Sequence, residues 1–456
     1  MNNYKYYQKL KKLSQIGRLS IYLIIAPPRT NSSMVEHALG NSPDVQHECH
    51  EPFLKARHDD FDPDHGYSQI YESIGGEQFE SSDTKTSVVV KEMSHWIGKN
   101  DEYKRLATMV TGPIVVLIRN PLLAVESRIR RVLTTIDMRY SIDIQRFLLD
   151  EAAVEKGYKN WADLIQRTAD DTHSQKFEFV LNGEGIERLY DTPILTVQNR
   201  LLDLTAHKYG YTNWRDLVEK KLYADRDYAF FGGILSATAR RVKFERMEFR
   251  VLAEEVAYFE KSKQDYIVFD TTDVRAKPTE YLNELCRRLG IRFSPKMLQW
   301  GRDSVDFHTE QEKQSEKLWY DRLFSSYGVN APTEIPPTLS KFPAFMQEYL
   351  RDDNLPTYAK LSQCKVSSEN DTSALNDLTF EVRITSENIE QLHTLELIKK
   401  DTAVGDVVSL SLEHIDPVYA VTNEPGLVDA PEFCRCKDWY AEELRIVSKV
   451  LRTDVR

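Results

Sequence analysis

Cysteine is scarce in this chain of 456 residues: five, at positions 49, 286, 364, 434 and 436, are too few and too scattered for a disulfide framework. A reducing compartment is therefore expected, and the sequence reads as cytoplasmic. No apolar run approaches the roughly 18 residues that a membrane span requires. The run IYLIIA, Ile21 to Ala26, follows the basic stretch YKYYQKLKKLSQIGR and so imitates a secretory signal, but it ends in Pro27-Pro28-Arg29 instead of the small residues of a cleavage site. Positive charge is in deficit. With 71 acids against 60 bases and a net charge of −11, the chain as a whole repels nucleic acid and anionic membranes unless its bases are concentrated locally. The phosphate-loop pattern G-x-x-x-x-G-K-[ST] is absent, which disfavours an ATPase or ordinary kinase. What remains, 41% hydrophobic and 29% charged residues, is the composition of a folded globular protein, and the length suggests two domains.

Residues 21–26 are apolar and β-branched, and with Pro27-Pro28 they read as a buried strand running into a loop. A helix is expected next, because Asn31-Ser32-Ser33 supplies capping residues and Met34, Val35, Ala38 and Leu39 an apolar face before Gly40-Asn41-Ser42-Pro43. Ser87–Val90, Pro113–Ile118 and Tyr266–Phe269 are further unbroken apolar runs, of the kind found in parallel strands covered on both faces. Alternating strands and helices give an α/β class: a doubly wound open parallel sheet flanked by helices. Residues 134–260 are helical in pattern and rich in aromatics. There the phrase Gly-Tyr-x-Asn-Trp-x-Asp-Leu occurs twice, at Gly157–Leu164 and Gly210–Leu217, either as two similar helix starts or as aromatics lining an acceptor pocket. Past Leu361 a polar stretch, Ser362–Ser373, marks a boundary. It separates a domain over 1–361, with its helical insertion at about 134–260, from a small α+β appendage over 362–456, in which 378–384 alternates as a strand and 439–451 carries a helical stripe.

Strand, then Pro-Pro-Arg-Thr-Asn-Ser-Ser, then helix places backbone N–H groups and hydroxyls where an anion is received. A second cationic patch follows the 113–118 run: Arg119-Asn120-Pro121 opens a helix on which Ser127 and Arg131 share one face, so a hydroxyl and a guanidinium could hold a second phosphate together. His47, Cys49, His50, His58 and His65 gather near Glu51. They raise a metal alternative, but no H-E-x-x-H frame appears, and Cys434-Arg-Cys436 has no second ligand pair at zinc spacing; no metal is expected.

A strand into P-R-[ST]-x-[ST]-[ST] and a second strand into R-[ND]-P-x5-S-x3-R resemble the sulfotransferase family that uses 3′-phosphoadenosine 5′-phosphosulfate. Further similarities, in family order, are His50-Glu51-Pro52-Phe53, Val90-Lys91-Glu92-Met93-Ser94-His95, Val268-Phe269-Asp270, Pro278, Leu285-Cys286, Leu289-Gly290, Phe293, Pro295, Met297-Leu298, Trp300, Tyr320 and Pro356–Leu361. The resemblance runs from about Ile21 to Leu361 and implies a P-loop-like fold. It implies that Arg29, Thr30, Asn31, Ser32 and Ser33 cradle the 5′-phosphosulfate, that Arg119 and Ser127 hold the 3′-phosphate with help from Arg131, and that Lys91 neutralises charge on the donor. Glu51 is the implied general base, with His95 as the alternative, and the implied partner is a small-molecule or carbohydrate acceptor. Asn31 stands where the family usually has glycine. Asparagine tolerates left-handed φ but narrows the loop, which leaves a nucleotide-binding protein without transfer, or another anion-handling reaction, as rival readings.

Overall fold

The computed structural model describes residues 4–54, 62–98, 101–139, 141–168, 194–242, 249–300, 328–332, 335–366, 379–384, 386, 389–394 and 398–411. His58, Tyr320, Cys434, Cys436 and the helical stripe at 439–451 lie outside them. The chain forms two compact units: residues 1–119, 249–334 and 357–456 make the first, residues 120–248 and 335–356 the second.

The first unit is built on a five-stranded parallel sheet in the order β2-β3-β1-β4-β5, with β1 at Leu19–Ala26, β2 at His47–His50, β3 at Thr86–Met93, β4 at Ile114–Ile118 and β5 at Tyr266–Asp270. Its expected class, α/β with helices on both faces, holds. The four apolar runs of the sequence are β1, β3, β4 and β5, and β1 and β4 are buried almost throughout because helices cover both sides. One face packs on α1 (Lys5–Gln15) through Leu10 and Leu13 and on α3 (Pro63–Ser73) through Tyr67 and Ile70; the other packs on α2 (Ser32–Gly40) through Val35, Ala38 and Leu39. The apolar segment that imitates a signal is thus the central strand. Parallel pairing brings all five carboxyl ends to one edge, so the turns after Ala26, His50, Met93 and Ile118 lie along it, where α/β sheets bind ligands.

Two glycines fix what surrounds that edge. A Cβ on Gly66 of α3 would stand 2.7 Å from the Phe53 ring, and one on Gly98 would stand 2.4 Å from Val251, so α3 and the helix Arg250–Ser262 approach closer than any other residue permits. Beyond β5, Val366 N–H donates to Val268 O (2.8 Å), which lays the chain after Leu361 along the sheet edge. Further on, β6 (Thr379–Arg383) pairs antiparallel with β7 (Val407–Ser411), so the alternation at 378–384 is a strand.

The second unit is helical. Its sequence echo proves to be two helix starts of one design. In each copy a helix, Ser141–Glu155 or Ile194–Lys208, ends in a glycine with left-handed φ, +84° at Gly157 and +79° at Gly210. Asn160 and Asn213 then cap the next helix by accepting from Asp163 N–H and Asp216 N–H (2.9 Å each), while Trp161 N–H and Trp214 N–H donate to Asp150 and Asp203 (2.9 Å each). The echo reaches upstream too: Gln145, Leu148, Leu149, Asp150 and Ala153 recur as Gln198, Leu201, Leu202, Asp203 and Ala206. Trp214 is buried against Phe231, and Tyr209, half exposed, meets Phe230 edge to face.

Candidate active site

The loop after β1 turns sharply without glycine. Arg29 and Asn31 both have left-handed backbones, at φ 66° and 59°, and Asn31 is the residue from which α2 starts. Asparagine enters this region more readily than most residues, whereas arginine there is a strained choice of the sort found at ligand sites. Thr30 closes the loop by donating to Pro27 O (2.7 Å), and Met34 N–H returns to Asn31 O (3.1 Å), leaving Ser32 and Ser33 in the first turn of α2. Arg119, buried at the end of β4, donates from Nη1 to Arg29 O (3.1 Å), which ties the loop to the neighbouring strand. Arg119 is the last residue of the first unit. Ser127 and Arg131 lie one turn apart, both half-buried, on the helix Pro121–Thr134 of the second.

Across the edge, β2 ends at His50 opposite Lys91, two residues before β3 ends at Met93. Glu51 N–H continues the ladder to Lys91 O (2.9 Å), and Glu51 then turns into the left-handed region at φ 45°. This brings its carboxylate onto the ammonium of Lys91, in an ion pair that is 5% exposed on one side and fully buried on the other. Lys91 thus sits inside β3, two residues short of its end at Met93. His50 stands beside the pair, with Nε2 3.5 Å from Glu51 Oε1, while its Nδ1 meets Glu36 Oε2 at 2.6 Å. His95 lies on the short helix Ser94–Ile97, its ring 4.0 Å from that of Trp96.

Of the histidine and cysteine cluster near Glu51, His47, Cys49 and His50 lie on β2 and His65 on α3. His37 Nδ1 meets Glu48 Oε2 (3.1 Å), Cys49 is buried with its thiol pushed up by burial, and His65 is bonded to Gln69 (3.0 Å). Among the described residues no group of three or more histidine, cysteine, aspartate or glutamate side chains is arranged to hold a metal ion.

Two buried carboxyls went unread in the sequence. Glu92, fully buried, accepts from Phe53 N–H (2.8 Å) and from its own neighbour Met93 N–H (2.9 Å). Burial and then the charge of Glu51 push its carboxyl up to about 8, against the pull of those two N–H bonds. Glu255, on the helix Arg250–Ser262, is also fully buried, and burial holds its carboxyl well above the usual range, with Glu92 adding to the shift. No sequence pattern flagged either acid, since their partners lie in distant segments.

These shifts fix a sign for stability against pH. Both acids keep their protons in the folded chain at pH values where the unfolded chain, with ordinary carboxyls near 4.5, has released them. Their favourable contribution is complete below about pH 4.5 and declines as pH rises, that of Glu92 being lost as pH passes about 8. The melting temperature is expected to fall across that window by the equivalent of a few kcal/mol. Calorimetry from pH 5 to 8.5 checks it: the double variant Glu92→Gln/Glu255→Gln should flatten the slope, and an unchanged slope in that variant would refute the account.

A family model described as a sulfotransferase domain matches residues 234–362. The matched stretch contains β5 and the run from Pro278 to Trp300 that resembled the family, and it ends just past Pro356–Leu361. Residues 29–33, 51, 91, 119 and 127 precede it. No curated protein and no solved structure matches the chain significantly.

Proposed function

We propose that this chain, which matches a sulfotransferase domain over residues 234–362, transfers a sulfonate group from 3′-phosphoadenosine 5′-phosphosulfate to a hydroxyl or amine of a small-molecule or carbohydrate acceptor. The observation that carries this reading is the buried Glu51–Lys91 pair on the same sheet edge as the Pro27–Ser33 loop. The loop suits a phosphosulfate. Two left-handed residues stand at the mouth of a helix, whose first-turn N–H groups suit an anion, and Ser32, Ser33 and Arg29 add donors and charge. Arg119, with Ser127 and Arg131 farther along the chain, is assigned to the 3′-phosphate on the spacing of the sequence.

In this scheme Glu51 holds Lys91 as a counter-ion until the donor arrives. The ammonium then turns to the anionic donor, and Glu51 becomes free to accept the proton of the acceptor hydroxyl. The acceptor oxygen forms its bond to sulfur as the bond from sulfur to the phosphate oxygen breaks. The electron pair leaves on the phosphate, where Lys91 offsets the growing charge. No helix among the described residues is long and apolar enough to cross a membrane.

Calorimetric titration with 3′-phosphoadenosine 5′-phosphate tests the donor assignment: binding is expected, and neither heat nor a thermal shift at millimolar ligand would overturn it. Binding without transfer to any of a panel of phenols, sterols and oligosaccharides would favour the binding-protein rival. Arg119→Ala is expected to remove charge-assisted bonds worth roughly 1.5–3 kcal/mol and to weaken the 3′,5′-bisphosphate far more than adenosine 5′-monophosphate. Arg119 also supports the loop through Arg29 O. Equal weakening of both nucleotides would therefore assign it to that structural bond alone.

A further inference from the structure

The turn that carries Glu51 is held from beneath by a residue that the chemistry above does not use. Glu51–Leu54 folds over the ends of β2 and β3, and Lys91 and Glu92, being adjacent in a strand, point to opposite faces. Lys91 meets the Glu51 carboxylate on one face. On the other, Glu92 Oε2 accepts from Phe53 N–H at 2.8 Å while Oε1 accepts from Met93 N–H at 2.9 Å, so one carboxyl clamps the turn to the strand. The clamp has rigid walls. The Phe53 ring is wedged against Gly66 of α3, and Glu255 closes the interior beside Glu92. Glu51 itself has φ 45°, a conformation that glutamate does not keep without enforcement.

We propose that Glu92 is a positioning residue for Glu51, its paired acceptor oxygens enforcing the left-handed turn that aims the Glu51 carboxylate at Lys91 and at an incoming acceptor. This rests on the reading of Glu51 as the base. The carboxylate form suits the task best, since it offers full acceptor strength to both N–H groups. Among the described residues Glu51, Lys91, Glu255 and the buried thiol of Cys49 are the charged or titratable groups coupled to it. Because burial and Glu51 hold the Glu92 proton up to about pH 8, the clamp tightens as pH rises through that value.

The test is Glu92→Gln, which keeps the shape but sets an amide NH2 against one of the two N–H donors. Hydrogen exchange at Phe53 should accelerate, with protection of β1 and β4 unchanged. Above pH 8, where Glu92 is a carboxylate, turnover should fall roughly ten- to a hundredfold, as for a misaimed group, with affinity for 3′-phosphoadenosine 5′-phosphate intact. The wild-type pH profile should rise through about 8 and the variant's should not. In a Glu51→Gln background the second substitution should cost nothing further, because Glu92 acts only through Glu51. If Glu92→Gln fails to fold, Glu92→Asp, which withdraws the same two oxygens by one methylene, carries the same expectations for exchange and turnover. A full additional loss in the Glu51→Gln background, or unchanged exchange at Phe53, would overturn the proposal while leaving Glu51 as the base. Full turnover in Glu51→Gln alone would overturn both.

Discussion

Glu51→Gln is expected to lower turnover at least about a hundredfold, the low end for losing a general base, while leaving affinity for the 3′,5′-bisphosphate unchanged. The amide keeps one oxygen for Lys91, so the fold of the edge survives, but it cannot take the acceptor's proton. Its partner explains why a carboxylate can serve here despite being only 5% exposed: the buried ammonium of Lys91 lies against it and offsets its charge. His95 is the competitor. A histidine base must be neutral, so its activity falls as pH drops through roughly 6.5, whereas a carboxylate base stays ionised across that range. His95→Asn is accordingly expected to cost less than Glu51→Gln, with no inflection near 6.5 in the wild-type profile. Rates of sulfonate transfer to the best acceptor of the panel decide it. A dead His95→Asn beside an active Glu51→Gln would reverse the assignment, and indifference to both would remove the mechanism.

The parts of this architecture that were legible are those that the chain encodes locally. β1, β3, β4 and β5 are unbroken apolar runs because strands covered on both faces have no polar side to show. The capping phrases at Asn160 and Asn213 could be read for the same reason, since each cap closes within three residues. β2 was missed. His47-Glu48-Cys49-His50 is an edge strand with three of its four residues half exposed, and it carries neither an apolar run nor a turn signal. The left-handed turn at Glu51 was equally hidden, because it is imposed by Lys91 O and by Glu92, residues about forty positions away. Asn31 lay between these cases: its type allowed φ 59°, and only the fold required it.

Glu126 shows how much of the second unit is fixed by contacts of this distant kind. Beside Ser127 on the helix Pro121–Thr134 and 3% exposed, it takes a two-pronged bond from Arg226, Nε to Oε1 and Nη2 to Oε2 at 2.9 Å each, from a hundred residues downstream. Arg130 adds a third bond at 2.7 Å, and the Tyr228 hydroxyl donates to the same Oε1. Arg226 also donates to Ile335 O (2.7 Å), so the network fastens the returning segment 335–356 to the helical unit, and Arg226 keeps a left-handed φ of 51° to do so. Removing one member of a buried, hydrogen-bonded charge set costs more than the set contributes, because the remaining charges stay desolvated without partners. Glu126→Ala strands two guanidiniums and a phenol, and the usual range for such losses is about 3–5 kcal/mol. Since Arg226 is 27% exposed and can recover some water, about 3 kcal/mol is expected. Glu126→Gln should lose less, because its oxygen still accepts from Arg226 or Tyr228. Urea unfolding followed through the fluorescence of Trp214, which is buried in the same unit, measures both. A shift of less than about 0.5 kcal/mol in Glu126→Ala, the range of an ordinary surface substitution, would mean that water replaces the network and that apolar packing alone holds the unit together.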